Sequence, residues 1–314
     1  MKSSTDAMTE EKSRAVSPFR VNQALIAMEL GPTDEAMLEY VDFFTDQIPV
    51  KAAYFLHVLP KFDLFYAMYE KEAQSLISNF EINEDVLTRM EANIKELLAD
   101  KQTVFVEVDV RDGDPLEELI KNAESIDADL AIIGQSSSTN RHGILAKNLV
   151  RKIDCNALII PDKSRKQIFK ILVPIDFSEN ATKALQTAVA LSEQLDNKVE
   201  IVCLNVYEMP NVSVYRIQKT RDQFKRMLEE DRLAAFEAFI DTHAAAAKDH
   251  ITTELIEKDL PGVASYLLEY VEANDIDFIT IGAKGHSKVE RLLLGSVTEK
   301  LMSLNDSIPC LIVK

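Results

Sequence analysis

No stretch of the chain approaches ~20 uninterrupted apolar residues, the length a helix needs to cross a bilayer. Residues 1–18 hold no apolar segment of signal-peptide length either, and they read as a flexible, polar N-terminus. Cysteine is scarce. Cys155, Cys203 and Cys310 are an odd and widely spaced set, which excludes a disulfide framework and a Cys-based metal site and suits small apolar residues of a reducing compartment. Positive charge is also in deficit, with 35 Lys and Arg against 52 Asp and Glu and a net charge of -17. A phosphate backbone or an anionic membrane is repelled by such a surface, so neither nucleic acid nor membrane is an expected partner, and a cytoplasmic location is. Glycine occurs only eight times in 314 residues, so each cluster of glycines carries information.

What is present is a globular composition, 46% hydrophobic and 28% charged, on a chain long enough for two cores. An internal repeat makes the two cores explicit. Leu25-Ile26-Ala27-Met28-Glu29 matches Leu172-Val173-Pro174-Ile175-Asp176, with Glu29 and Asp176 147 residues apart. Tyr54–Val58 matches Val202–Val206, and Ala128–Gly134 matches Ile276–Gly282, both at 148. Each match is a short apolar run of the kind buried on both faces of a parallel sheet. Helical spacing separates the runs: Met37, Leu38, Val41 and Phe44 in the first copy, Ala181, Ala184, Leu185, Ala188 and Val189 in the second. Ala157–Ile160 and Cys310–Val313 close the copies as final strands.

The expected fold is therefore α/β, two tandem doubly wound five-stranded parallel-sheet domains of Rossmann-like type, over 19–161 and 169–314, with a charged linker at 162–168. Two longer helical stretches, about 64–100 and 212–248, follow the second strands. The apolar residues Phe224, Met227, Leu228 and Phe236 of the later one are expected to pack on the sheet. The apolar final strands are expected to pair the copies as an intramolecular pseudo-dimer, since a bare apolar edge is penalised by water. A further homodimer is compatible with this arrangement but required by nothing in the sequence.

Ligands of such sheets sit beyond the carboxyl ends of the strands, near the reversal of strand order. The second copy there reads Gly282-Ala283-Lys284-Gly285, nine residues from His286 to Leu294, then Gly295-Ser296-Val297 ahead of a helical segment. Glycines let backbone N–H groups approach phosphate oxygens, and a helix N-terminus with a serine hydroxyl adds donors. The spacing is neither Walker A nor the dinucleotide glycine pattern.

The chain resembles a tandem universal stress protein over nearly its whole length. In that family an ATP-binding subgroup carries Gly-x2-Gly-x9-Gly-Ser/Thr, matched by Gly282, Gly285, Gly295 and Ser296, after a first strand ending in Asp and a nearby Ser, here Pro174-Ile175-Asp176-Phe177-Ser178. The resemblance implies ATP as ligand, with Mg2+ or Mn2+ as a companion ion. It puts Asp176 at the adenosine part and the backbone of Val206 at the adenine edge, with Lys284 and His286 flanking the phosphate loop. The first copy departs from the motif: Gly134-Gln135-Ser136-Ser137 is followed by Gly143-Ile144 after only five residues, and Glu29 stands in place of Asp. Nucleotide is expected in domain 2 only, and domain 1 as a structural partner.

No residue is singled out as catalytic or as a metal ligand. The five histidines form no metalloprotease pattern, and no nucleophile elbow is present. The expected role is an ATP-binding stress-response or regulatory protein acting through nucleotide-linked conformational change. A slow ATPase and a nucleotide-free protein-interaction module are the alternatives.

Overall fold

The computed structural model describes residues 17–60, 79–98, 101, 103–137, 143–195, 197–210, 221–285 and 294–314. The chain forms two compact units. One comprises Arg20–Lys166 with Asp306–Pro309, the other Gln167–Asn305 with Cys310–Lys314 and the residues up to Phe19. The charged segment read as a linker is thus built into the units, Ser164 N–H donating to Pro161 O (3.1 Å) and Gln167 Nε2 to Asp277 Oδ1 (2.6 Å).

The first unit runs β1 (Val21–Met28), α1 (Pro32–Gln47), β2 (Val50–Pro60), α2 (Asn79–Leu97), β3 (Phe105–Gly113), α3 (Pro115–Ser125), β4 (Leu130–Gln135), α4 (Ile144–Lys152) and β5 (Asn156–Pro161). The second runs β6 (Lys170–Pro174), α5 (Glu179–Gln194), β7 (Glu200–Glu208), α6 (Arg221–His243), a 3-10 turn at Ala245–His250, β8 (Ile251–Lys258), α7 (Val263–Ala273), β9 (Phe278–Gly282), α8 (Ser296–Leu304) and β10 (Cys310–Val313). Strand order is β3-β2-β1-β4-β5 in one and β8-β7-β6-β9-β10 in the other, with parallel pairing throughout each. Both are doubly wound sheets in which strand order reverses between the first and fourth strands.

The apolar runs account for this. Leu25, Ile26, Leu172, Val173, Ile132 and Ile279 are all at most 1% exposed, because helices cover both faces of the central strands. The helical stripes turn inward as their spacing demands: Met37, Val41 and Phe44 on α1 and Ala184, Leu185, Ala188 and Val189 on α5 are buried.

The repeat extends to details the apolar pattern does not carry. Asp129 Oδ2 accepts the N–H groups of Asn22 (2.6 Å) and Gln23 (2.9 Å), while Asp277 Oδ2 accepts those of Phe169 (3.0 Å) and Lys170 (3.3 Å). One carboxylate so pins the entry of the first strand in each domain. Left-handed residues recur in register as well, at Leu30 and Phe177 (φ 57° and 63°) and at Asp127 and Asp275 (50° and 52°).

Two expectations need correction. The N-terminal half of α6 does not pack as a continuous stripe: Phe236 is buried, but Met227 is 42% exposed, and the buried face of the helix is Phe236, Phe239 and Ile240 near its C-terminal end. Cys203 and Cys310 are buried and burial pushes both thiols up to about 12, whereas Cys155 is only partly covered. Of the N-terminus expected to be flexible (1–18), residues 1–16 lie outside the described residues, as do 64–78, 99–100 and 212–220 of the long helical stretches.

Candidate functional site

A cavity of about 290 Å3 opens at the carboxyl ends of β6 and β9, where the strand order of the second domain reverses. Its wall brings together Pro174, Ile175 and Asp176 from the end of β6, Val206 from β7, and Gly282, Lys284, Gly285, Gly295, Ser296 and Val297 from the loop and the first turn of α8. These are the residues singled out in the sequence, with one exception. His286 lies outside the described residues, as do 287–293 of the nine-residue insertion.

The loop has definite internal bracing. Ala283 N–H donates to Val313 O (2.8 Å), Gly295 N–H returns to Ala283 O (2.8 Å), and the buried Thr298 hydroxyl donates to Gly282 O (2.9 Å). The first turn of α8 is thereby fastened to the end of β9. That turn has no side-chain cap, and the first N–H groups of a helix have no intrahelical acceptors; Lys284 lines the same cavity. Across the cavity, Asp176 Oδ1 accepts Ser178 N–H (3.0 Å), and Ser178 Oγ in turn caps α5 by accepting Ala181 N–H (3.2 Å). A Cβ on Gly285 would lie 2.6 Å from Asp176 Oδ2, so the carboxylate rests directly against the bare Cα of the loop.

The edge of the cavity at Val206 follows from strand geometry. Leu204 O accepts Ile175 N–H (2.8 Å), so the backbone of Leu204 faces β6. Alternation along the strand turns the N–H and C=O of Val206 to the same side, and there β6 has ended at Pro174. Both groups therefore face the crevice. The apolar wall opposite comes from Val263 and Leu267 of α7.

Sequence reasoning missed two supports. Asn205 is 6% exposed, donates Nδ2 to Ile175 O (2.7 Å) and accepts from Arg232 (2.9 Å), tying β7 to the end of β6. His57 occupies the aligned position in the first domain and meets Met28 O through Nδ1 (2.9 Å), so the position serves the same backbone acceptor in both copies. A polar residue within an apolar strand was the available signal. Thr298 was hidden because a threonine in a helical first turn is unremarkable by sequence.

The aligned region of the first domain is differently built. Ser137 N–H, 148 residues before Gly285, is taken by the carboxylate of Asp162 (3.0 Å). Gly143 caps α4 in the left-handed region (φ 61°), where Gly295 caps α8 extended (φ -64°), and Ile144, 52% exposed, follows it in place of serine. At the end of β1, Asp34 accepts the N–H groups of Glu29 (3.1 Å) and Leu30 (2.7 Å). Burial raises the pKa of Asp34 against these two donors, and Glu29 is raised by desolvation first and the Asp34 charge second.

Among the described residues, no cluster of three or more His, Cys, Asp or Glu side chains is placed to hold a metal ion, and no helix is long and apolar enough to cross a membrane.

Two doubly wound α/β domains in one chain, one with a braced glycine loop and helix terminus at its switch point, define a tandem α/β protein. The chain belongs to the universal stress protein family, whose model matches it twice, over residues 23–161 and 168–314. It is 27% identical over 146 residues to Universal stress protein MJ0531 of Methanocaldococcus jannaschii, covering 46% of this chain and 81% of that one. It is 26% identical over 150 residues to Universal stress protein YxiE of Bacillus subtilis, covering 46% and 98%. The crystal structure of a universal stress protein from Archaeoglobus fulgidus shares the tandem fold, with a TM-score of 0.63 at 21% identity over 94% of this chain and 99% of that one.

Proposed function

We propose that the second domain binds one ATP in the cavity at the ends of β6 and β9, and that the protein acts as a nucleotide-responsive regulator rather than an enzyme. The observation that carries this reading is the convergence of three donor sets on one crevice: the uncapped first turn of α8, the glycine loop, and the outward backbone of Val206. The adenine edge would meet the N–H and C=O of Val206 between Val263 and Leu267, and Asp176 would face the ribose hydroxyls. The phosphates would lie along Gly285, Gly295 and Ser296 with Lys284 beside them. A volume of about 290 Å3 suits the nucleoside portion, with the phosphates on the open loop. Mg2+ or Mn2+ would enter on the triphosphate rather than on protein carboxylates.

Titration calorimetry of the intact chain tests the assignment. One site per chain is expected; two equivalent sites, or none, would overturn it. Ser296→Ala is expected to weaken binding by only about 0.5–1.5 kcal/mol, the net worth of one hydrogen bond, because the backbone donors remain. ATP turnover measured on the same samples is expected to stay near background, since among the described residues no His lines the cavity to serve as a general base. Rapid, saturable turnover lost in His286→Ala would favour the enzyme reading instead.

A further inference from the structure

In the second domain the left-handed residue after the strand-end carboxylate is Phe177. Its ring packs edge-on against Phe236 (5.2 Å) and Phe239 (5.6 Å) of α6. The aligned residue of the first domain is Leu30, left-handed in the same way but 44% exposed. Residues 84–98, the described side chains of α2 and the residue after it, include no aromatic to meet it. A groove of about 770 Å3 remains between α1 and α2. Met28, Leu38 and Met90, each under 10% exposed, form its floor with Leu97.

Charge on the groove is one-sided. Among the described residues, Asp34, Glu35, Glu39 and Glu96 line it with one guanidinium, that of Arg89, and of these Glu39 is paired with Lys166 (3.1 Å). The apolar floor rewards a ring or short alkyl group, by the same burial that Phe177 gains in the other domain. The surplus of carboxylates favours a cation and penalises an anion of the same shape.

We propose that this groove is a second ligand site, specific for a small primary ammonium ion carrying an aromatic group. The ring takes the place that the Phe177 ring fills in the second domain, and the ammonium lies among Glu35 and Glu96. The described residues that line the site all belong to the first domain and share none with the nucleotide cavity.

The probe is 2-phenylethylammonium, titrated into the full chain and followed by ligand-observed NMR. A dissociation constant on the order of 1 mM is expected for so small a ligand. 3-Phenylpropanoate, with the same ring and opposite charge, is expected to bind at least ~10-fold more weakly, and raised salt is expected to narrow that gap. Leu30→Phe supplies the missing ring from within. The backbone there already has the conformation in which Phe177 sits, so the variant is expected to fold, to lose the amine, and to keep its affinity for ATP. Glu35→Gln combined with Glu96→Gln gives a second arm, with several-fold weaker amine binding expected. The proposal is overturned if the amine does not bind, if amine and carboxylate bind alike, or if Leu30→Phe or the double glutamine variant leaves amine affinity unchanged. Failure of ATP binding in the second domain would leave these outcomes unaffected.

Discussion

Gly285→Ser is expected to remove ATP binding from the intact chain. The new Cβ would stand 2.6 Å from Asp176 Oδ2, so either the loop lifts from the cavity wall or the carboxylate swings away. Both movements act on groups assigned to the nucleotide at once, which is why the effect is larger than that of any single hydrogen bond. A loss of at least ~100-fold, about 2.7 kcal/mol, is expected. The variant also reproduces the residue that the first domain has at Ser137. Gly295→Lys is expected to act similarly, because its Cβ would come within 3.3 Å of Ala283 O and Lys284 Cα, at the hinge between loop and α8. Gly143→Lys in the first domain is the control. It forces a side chain onto a residue at φ 61° and is expected to cost its own domain about 1–2 kcal/mol, while ATP affinity stays unaltered. Calorimetric titration of the three variants ranks them directly. Unchanged affinity in Gly285→Ser would sink the assignment of the loop.

The first domain is expected to stay empty of nucleotide for a reason beyond its shortened loop. The N–H of Ser137 already has an anionic acceptor in Asp162, so a phosphate arriving there would meet a carboxylate rather than an open donor. The degeneracy of the motif was legible in the sequence as missing glycines. The carboxylate that occupies the cradle was not, because Asp162 is 25 residues away and resembled part of a charged linker.

That contrast is general in this molecule. The central strands β1, β2, β4, β6, β7 and β9 were legible because helices on both faces make them continuous apolar runs. The outer strands β3 and β8 were not singled out, since both are only partly covered and polar residues interrupt their apolar ones, nearly alternating in Phe105–Gly113 and leaving only Ile251, Leu255 and Ile256 apolar in Ile251–Lys258. The glycine loop could be located from its place after the fourth strand and from its resemblance to the family's motif, and the cavity lies at the reversal of strand order. What spacing could not reveal was the bracing: the Asn205 amide between Ile175 and Arg232, and the Thr298 hydroxyl on Gly282. These are polar side chains on buried faces, and their partners are fixed by tertiary approach rather than by local pattern.

Gly282→Ala is expected to damage the fold of the second domain, whereas the aligned Gly134→Ala should be nearly silent in the first. Gly282 is the last residue of β9 and Gly134 the next to last of β4, each against the first helix of its domain. A Cβ on Gly282 would lie 2.7 Å from Asn180 Cβ and 2.8 Å from its backbone C and O, atoms fixed in the first turn of α5. Relief requires moving helix against sheet, and overpacking of that kind costs about 1–3 kcal/mol, with the upper half of the range expected here because backbone must shift. A Cβ on Gly134 would instead meet Thr33 Cγ2 at 3.1 Å and Met37 Sδ at 3.4 Å, side-chain atoms that give by a few tenths of an ångström. Its cost is expected to stay below ~1 kcal/mol. Because two domains need not unfold together, a single melting temperature cannot separate the cases. Native-state hydrogen exchange does so, through the amides of β6 and β9 for one domain and β1 and β4 for the other. Protection lost selectively in β6 and β9 of Gly282→Ala is the expected result. Equal losses in the two variants would mean that the glycine at β9 is not held by contact with Asn180, and that the motif's first glycine is there for the ligand alone.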